Sequence, residues 1–231
     1  MLIKTILTAV SLTALLTSAM AQGFSGGELT IDAYGFSDGG DSTVVNYSAA
    51  LEYSINRNVS IAGDVSIYDL SILSDDVTNF TLHGIFHVND QTSIGGFYGV
   101  DSLSGNGSAF GGFEAGYETG ALGVEGYIAI YDNDDDTSVF GLSGEYEISD
   151  TISATANIGL GDIGNVDYTR ISAGAEYSFA QGPSVYAELG NVTGGGTDSG
   201  YIGLGANIEF GAARGTTFDR RGIFETVIRG D

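Results

Sequence analysis

Four segments of the sequence, in which apolar residues alternate with polar ones, have a glutamate at an equivalent position near their end. Each glutamate directly precedes a tyrosine or phenylalanine. The stretches LEYSINRNVSI (51–61) and GEYEISDTISA (144–154) show the pattern most fully, because each continues through a short polar turn. Carboxylates repeated at one level attract cations, whereas acid–base catalysis needs groups that converge on one reacting atom. The pattern therefore predicts a belt of negative charge rather than a catalytic site. Its members are Glu52, Glu145, Glu176 and Glu209.

Two histidines and one acidic loop are the other residues that could carry chemistry. His83 and His87 share one strand face and, with a serine, could suggest a hydrolase, but spacing places no third group beside them. They would lie ~13 Å apart along an extended strand, which is too far for one metal ion. Asp132, Asp134 and Asp136 begin like an EF-hand calcium loop, but the required glycine and glutamate are absent. Loose binding of divalent cations by this loop stays open as an alternative to a merely solvated loop.

The charge balance excludes several partners. The chain has 7 Lys and Arg residues against 30 Asp and Glu, a formal net charge of −23, and it has no cysteine. Nucleic acid needs cationic contacts to its phosphates, and docking on an anionic lipid surface needs basic residues. We therefore expect neither nucleic acid nor disulfide bonds. We also predict no catalytic residue, no metal site and no cofactor.

The first 21 residues have the three parts of a secretory signal peptide. Lys4 provides the positive end, residues 6–16 form the apolar run, and the pattern Ala19-x-Ala21 precedes Gln22. The apolar run is too short to cross a bilayer as a helix. We therefore predict export of the chain and cleavage after Ala21.

Alternation at period two runs along most of the remaining chain. In TVVNYSAALEYSI (43–55), the odd positions from Val45 to Ile55 are apolar, and the even positions between them are small or polar. Such alternation predicts strands with one apolar and one polar face. Most segments have about the ~9–11 residues that a tilted strand needs to cross a bilayer. The twelve predicted strands lie near 28–36, 42–55, 58–70, 77–88, 91–101, 108–118, 121–131, 137–148, 151–161, 166–179, 184–191 and 200–210.

Short and long connections alternate between these strands, as in an up-and-down barrel with short turns on one side and long loops on the other. The sequence therefore predicts an all-β protein, an antiparallel up-and-down transmembrane β-barrel of about 12 strands. Both ends of the barrel would lie on the short-turn side. The short connections are Asn56-Arg57, Asn89-Asp90, Thr119-Gly120, Ser149-Asp150 and 180–183, and the long ones are 37–41, 71–76, 102–107, 132–136, 162–165 and 192–199.

An aromatic residue occupies the same level on the apolar face of each strand that descends to a short turn. Rings at such a level lie where hydrocarbon meets lipid headgroups. A soluble β-sandwich would not need them there, and it would bury the neighbouring glutamates without enough cations. The predicted aromatic girdle consists of Tyr53, Phe86, Tyr117, Tyr146, Tyr177 and Phe210.

The last predicted strand carries a further pattern. In GLGANIEF (203–210), Gly205 is followed by Ile208 and Phe210. This resembles the β-signal that closes outer-membrane barrels, although that signal normally ends the chain and residues 211–231 follow it here. With its signal peptide and hairpins, the chain up to about Phe210 resembles small bacterial outer-membrane barrels of the porin-like type. The resemblance implies an outer-membrane location, but no basic ladder faces the acids, so porin selectivity does not carry over.

The strand face opposite the girdle would line the lumen, and acids outnumber cations there. A ring of acids attracts cations and repels anions. We therefore predict passive diffusion of small hydrophilic solutes, preferably cations, through a barrel embedded in outer-membrane lipid. The alternative is a non-transporting barrel that serves as a structural element, adhesin or receptor through its acidic surface loops. The predicted pore-lining residues are Glu52, Asp64, Glu114, Glu118, Glu125, Glu145, Arg170, Glu176, Glu188 and Glu209.

Four tyrosines fall on the lumen face near the outer mouth of this predicted barrel. They could stack on a sugar-like solute, or they could fill space and narrow the pore, and we favour filling. They are Tyr68, Tyr131, Tyr168 and Tyr201.

The chain thus divides into a signal peptide (1–21), an outer-membrane β-barrel (22–211) and a periplasmic C-terminal tail (212–231). The tail is rich in arginine although the rest of the exported chain is not. Two arrangements are open for it: a disordered periplasmic end, or a fold back into the acidic mouth as a partial plug. The arginines of the tail are Arg214, Arg220, Arg221 and Arg229.

Overall fold

The structure, a computed structural model, describes residues 23–37, 42–71, 76–132, 137–180, 182–212 and 215–229. The predicted signal peptide and most of the acidic loop at 132–136 lie outside the described residues, so the predictions about them stay predictions. Among the helices of the described residues, none is long and apolar enough to cross a membrane.

Twelve strands account for most of the described chain, and a short π-helical turn (Glu225–Arg229) follows them. The predicted number of strands is therefore confirmed, and most boundaries agree within three residues. The strands are β1 (Phe24–Phe36), β2 (Thr43–Asn56), β3 (Val59–Leu70), β4 (Val77–Asn89), β5 (Thr92–Leu103), β6 (Asn106–Thr119), β7 (Leu122–Asp132), β8 (Ser138–Ser149), β9 (Ile152–Ile163), β10 (Val166–Ser178), β11 (Pro183–Gly194) and β12 (Thr197–Gly211).

Each strand pairs with its neighbours in the sequence, and β1 also pairs with β12, so the sheet closes into a barrel. All of these pairings are antiparallel. In the closing pair, Gly26 lies opposite Gly211 at one end and Phe36 lies opposite Tyr201 at the other. Closure leaves no free sheet edge, as a barrel in lipid requires. The predicted all-β, antiparallel up-and-down barrel is thus confirmed.

The expected alternation of short and long connections is wrong at three places. Residues 102–107, 162–165 and 192–199 were expected to be long loops, but only Ser104-Gly105, Gly164-Asn165 and Gly195-Gly196 separate the strands there. Both residues of each pair have positive φ angles. Two-residue hairpin turns of this kind match the right-handed twist of the flanking strands and favour glycine and asparagine. The polar, glycine-rich ends of these strands therefore resemble loops in the sequence although they are paired.

The distribution of burial is inverted relative to a soluble protein. On β3, Ser60 and Ser66 are fully buried, whereas Ile61 is 50% exposed and Ile67 is 42% exposed. The same alternation of exposed apolar and buried polar residues runs along β4. An apolar exterior around a polar interior is the arrangement of a transmembrane barrel, so the packed core of this protein lies in the lumen.

Candidate functional site in the barrel lumen

All ten predicted pore-lining residues lie on the inward side of the barrel. Glu52, Asp64, Glu114, Arg170 and Glu188 are buried, the first three at 5%, 4% and 4% exposure. Glu125, Glu176 and Glu209 are partly buried, and Glu118 and Glu145 are exposed at one mouth. The strands thus place these side chains together as expected, and whether they line an open pore stays a prediction.

The six predicted girdle residues lie on the outward side. Five of them are exposed, between 44% for Tyr177 and 55% for Tyr146. Phe210 is partly buried, because its ring stacks on Phe24 with 6.0 Å between the ring centroids. Their position at a membrane interface stays a prediction.

Residues 215–229, which we call the luminal segment, enter the barrel at the end where β12 stops. Gly215 passes so close to Gly26 that a Cβ atom on Gly26 would overlap the Gly215 carbonyl oxygen. At the other end of the segment, Thr226 approaches the backbone of Gly159 in the same way. The segment therefore threads the lumen from the short-turn side, and its contacts favour the fold-back arrangement over a disordered end.

Wall carboxylates accept hydrogen bonds from the backbone of the luminal segment at three heights. The Thr217 amide donates to Oε2 of Glu52 at 2.7 Å. The Asp219 amide donates to Oε2 of Glu125 at 3.3 Å, and the Ile223 amide donates to Oδ2 of Asp101 at 3.0 Å. Buried amides need such partners, so the wall satisfies an irregular segment that has no partner strand.

Arg221 is the most extensively bound residue of the luminal segment. Its guanidinium donates from Nε to Oε2 of Glu114 at 2.9 Å and from Nη2 to Oε1 of Glu125. The Cζ atom lies 4.3 Å from the ring centroid of Tyr127 and 5.8 Å from that of Phe97. The side chain is fully buried. The ring centroid of Phe218, within the segment, lies 5.9 Å from Cζ, so two carboxylates and three aromatic rings surround one cation.

His83 extends this charged cluster along the wall. Its Nε2 atom lies 2.8 Å from Oδ2 of Asp64, and its Nδ1 atom lies 2.9 Å from Oε1 of Glu114. An ionised carboxylate can only accept hydrogen bonds. A ring that donates from both nitrogens, the imidazolium form, therefore fits this geometry and adds a second cation beside Arg221.

Arg220 and Glu225 form a second charged contact within the luminal segment. The Nε atom of Arg220 lies 3.4 Å from Oε1 of Glu225, and its Nη1 atom hydrogen bonds to Ser48 on the wall. Glu225 also accepts hydrogen bonds from Ser66, at 3.2 Å, and from Tyr68. Charged groups without solvent are stable only with such partners, so this pair attaches the end of the segment to β2 and β3.

Apolar clusters adjoin these charges inside the barrel. Phe224 packs against a cluster that contains Tyr68 and Tyr201. Ile223 packs against a second cluster around Tyr131, and Phe218 against Ala62 and Ile85. Three of the four luminal tyrosines thus fill space, as we favoured. The luminal segment thus packs against all three clusters inside the barrel.

An acidic vestibule lies below the luminal segment and opens at the short-turn mouth. Its volume is about 1040 Å³, and residues 215–217, 219 and 220 contribute to its lining. Its carboxylates include Glu118, Glu145, Glu147, Glu176 and Glu209, and its arginines are Arg57 and Arg220. The excess of carboxylates makes this vestibule attractive to cations.

His87 lies in the same vestibule and contacts two serines. Its two ring nitrogens hydrogen bond to Ser60 at 3.0 Å and to Ser93 at 2.9 Å. The Oε1 atom of Glu52 is 3.9 Å from Nε2, so no hydrogen bond joins this carboxylate to the ring here. The serines therefore serve as hydrogen-bond partners of a luminal histidine.

The comparisons with known proteins agree on the fold. No protein-family model matches the chain, and no curated protein matches it either. The KdgM porin in complex with disordered oligogalacturonate matches with a TM-score of 0.61 at 13% identity, over 79% of this chain and 99% of the porin. The NanC porin matches with a TM-score of 0.62 at 9% identity, over 78% of this chain and 98% of the porin. This is the fold of small bacterial outer-membrane porins.

An enzyme also has a similar barrel fold. Outer membrane phospholipase A from Escherichia coli matches with a TM-score of 0.58 at 12% identity, over 79% of this chain and 89% of the enzyme. Barrels of this fold thus have different functions, so the function must be inferred from the residues in the lumen rather than from the fold.

Several luminal residues were not predicted as pore-lining. Glu28 and Asp32 on β1 are 8% and 2% exposed, and the alternation of β1 could have identified both. Asp101 is the last residue of the predicted strand 91–101 but was not named as pore-lining; it lies in β5 and is buried. The alternation of Phe97, Gly99 and Asp101 already places the last of these on the inward face.

Proposed function

We propose that the protein is a porin-like channel of the bacterial outer membrane for passive diffusion of small hydrophilic solutes, with a preference for cations. The observation that carries this proposal is the acidic vestibule of about 1040 Å³ at the short-turn mouth. The KdgM porin is known in complex with oligogalacturonate. Galacturonate is itself a carboxylate, which this vestibule would repel, so we assign cations rather than acidic sugars. We further propose export through the signal peptide and no enzymatic activity.

Because residues 215–229 run through the lumen and contact its wall, we propose that the luminal segment obstructs the channel and that conduction requires it to leave its position. A two-state equilibrium shifts tenfold for each ~1.4 kcal/mol, and removing one partner of a buried ion pair costs about 3–5 kcal/mol. The variant R220A/R221A loses the two ion pairs of Arg221 with the wall carboxylates Glu114 and Glu125, and also the Arg220–Glu225 pair within the segment. It should therefore raise the open probability at least tenfold in planar bilayers, and deletion of 212–231 should act alike. Under a salt gradient, the reversal potential should indicate cation preference.

A non-transporting barrel is the second candidate, and the apolar clusters in the lumen favour it. Phe97 makes edge-on contacts with Phe110 and with Tyr127, at centroid distances of 6.2 and 6.1 Å. Such interlocking of bulky side chains suits a structural element, adhesin or receptor. Silence of both wild-type and R220A/R221A barrels, each folded and heat-modifiable, would support this candidate and contradict the channel.

Neutralising two vestibule carboxylates should weaken the cation preference. In E145Q/E176Q, the ratio of cation to anion permeability should fall by up to about fivefold per charge, because a unit charge at ~4 Å in water contributes about 1 kcal/mol. The measurement is the reversal potential under a salt gradient. D150N removes one acid in an exposed turn outside the vestibule and serves as the control. An equal shift in D150N would show that overall charge, not the vestibule, sets the selectivity.

A further inference from the structure

The side chains that hold the Arg221 guanidinium belong to the barrel wall, except for the Phe218 ring; the Arg220 carbonyl oxygen of the luminal segment also accepts from Nη1 at 3.1 Å. Glu114 lies on β6, Glu125 and Tyr127 on β7, and Phe97 on β5. These three neighbouring strands are paired along their length, so the four side chains keep their arrangement without Arg221. The cation comes from a separate segment that enters the lumen after β12. The wall therefore forms a pocket, and Arg221 is its occupant.

The pocket is shaped for a guanidinium rather than for any cation. Nε and Nη2 reach two different carboxylates, while the plane of the group lies near the Tyr127 ring. A planar fork directs N–H groups at both carboxylates while its flat face lies against the ring, whereas an ammonium ion has three donors around one nitrogen and no flat face to stack. The chain forms a similar environment around Arg170, where Nη2 lies 2.7 Å from Oε1 of Glu188 and Cζ lies 4.5 Å from the ring centroid of Tyr201. Carboxylates and tyrosine rings therefore surround the guanidinium group at both Arg221 and Arg170.

The pocket also adjoins the vestibule. Glu125 lines the vestibule and is partly buried, whereas Glu114 is buried behind it. A cation that enters through the short-turn mouth would therefore meet Glu125 first and Glu114 next. Residues 215–217, 219 and 220 of the luminal segment line the vestibule beside Glu125, so a solute that reaches the other contacts would displace this segment.

We infer that the pocket formed by Phe97, Glu114, Glu125 and Tyr127 is a binding site for the guanidinium group of a solute, and that Arg221 occupies it as an internal ligand. This inference rests on the proposed function, because it names the class of solute that the channel would bind. Solutes with a guanidinium group, such as arginine and its derivatives, would compete with Arg221. Amine solutes of the same charge would compete less well.

Chemical rescue of the full-length variant R221A tests the inference. R221A should unfold at a lower temperature than the wild type, as measured by heat modifiability. Millimolar methylguanidinium should restore more than half of the lost midpoint, and methylammonium at the same concentration should restore much less. R57A, which changes an exposed turn residue, should respond to neither cation beyond the wild-type response. Equal rescue by both cations, or by neither, would overturn the inference.

A second variant tests where the rescuing cation binds. R221A/E125Q lacks one of the two carboxylates, so methylguanidinium should lose most of its effect there, and retained rescue would mean that the cation binds elsewhere. If R221A does not refold in buffer, the refolding yield with each cation replaces the midpoint as the readout. These measurements need no current. A silent barrel with selective rescue would contradict only the channel, and a conducting barrel without it would contradict only the pocket.

Discussion

Replacing Arg170 by alanine should destabilise the barrel by about 3–5 kcal/mol, because a buried carboxylate loses its cationic partner. Arg170 is 1% exposed. Its Nη2 atom donates to Oε1 of Glu188 at 2.7 Å, and its Nε atom donates to the Tyr201 hydroxyl at 2.6 Å. The guanidinium also lies 5.3 Å from the ring centroid of Tyr34. One substitution therefore removes contacts between β1, β10, β11 and β12.

The measurement for R170A is the free energy of unfolding in urea of barrels refolded into lipid vesicles. R57A is the matched control, since it removes an arginine from an exposed turn, and it should change the free energy by less than about 0.5 kcal/mol. R170K separates charge from shape and should recover less than half of the loss, because an ammonium cannot reproduce both donor directions. If R170A matched R57A, other groups would satisfy Glu188, and the wall would not depend on this cation.

The faces of the strands could be predicted from sequence because a strand has a period of exactly two residues. Once Tyr53 is outward, Glu52 must be inward, and the same step assigns Glu145 beside Tyr146. Hairpin spacing then sets the height of each pair, so ten charged residues could be placed in the lumen before their contacts were known. The same logic could have recovered Asp101, because it lies within the predicted strand 91–101 on the same face as Phe97 and Gly99.

The course of the luminal segment could not be predicted in the same way. Its residues follow no strand or helix period, and its binding partners lie far away in the chain: Arg221 and Glu114 are 107 residues apart. The indication available was compositional, since four arginines lie in the tail of an acid-rich chain. Charge complementarity suggests that the tail meets the acidic lumen, but it cannot say which carboxylate meets which arginine. That choice depends on the closed wall, which only the folded barrel provides.

Two glycines on the wall allow a stronger test of whether the luminal segment blocks the lumen. They leave space for the backbone of the segment, and replacing them changes no charge. A Cβ atom on Gly26 would overlap the carbonyl oxygen of Gly215, and one on Gly159 would overlap that of Thr226. Both clashes are with backbone, which cannot rotate away as a side chain can. Gly26 and Gly159 lie in strands, and neither is among the glycines with positive φ, so alanine fits the wall itself. The strain in G26A/G159A therefore falls on the segment.

The variant G26A/G159A should displace the luminal segment and open the lumen while every charge stays in place. We expect an open probability raised at least tenfold, as for R220A/R221A, since each overlap costs more than the ~1.4 kcal/mol of a tenfold shift. Trypsin provides an independent measurement, because Arg220 and Arg221 are buried in the wild type and should become cleavable once the segment leaves.

G123A is the control, since a Cβ atom on this inward glycine meets nothing within 4 Å. If G26A/G159A and G123A were equally resistant to trypsin, the segment would tolerate the added methyl groups. If trypsin cut only G26A/G159A and both variants stayed silent, the segment would have left a lumen that the aromatic clusters still close, and the structural role would then be favoured.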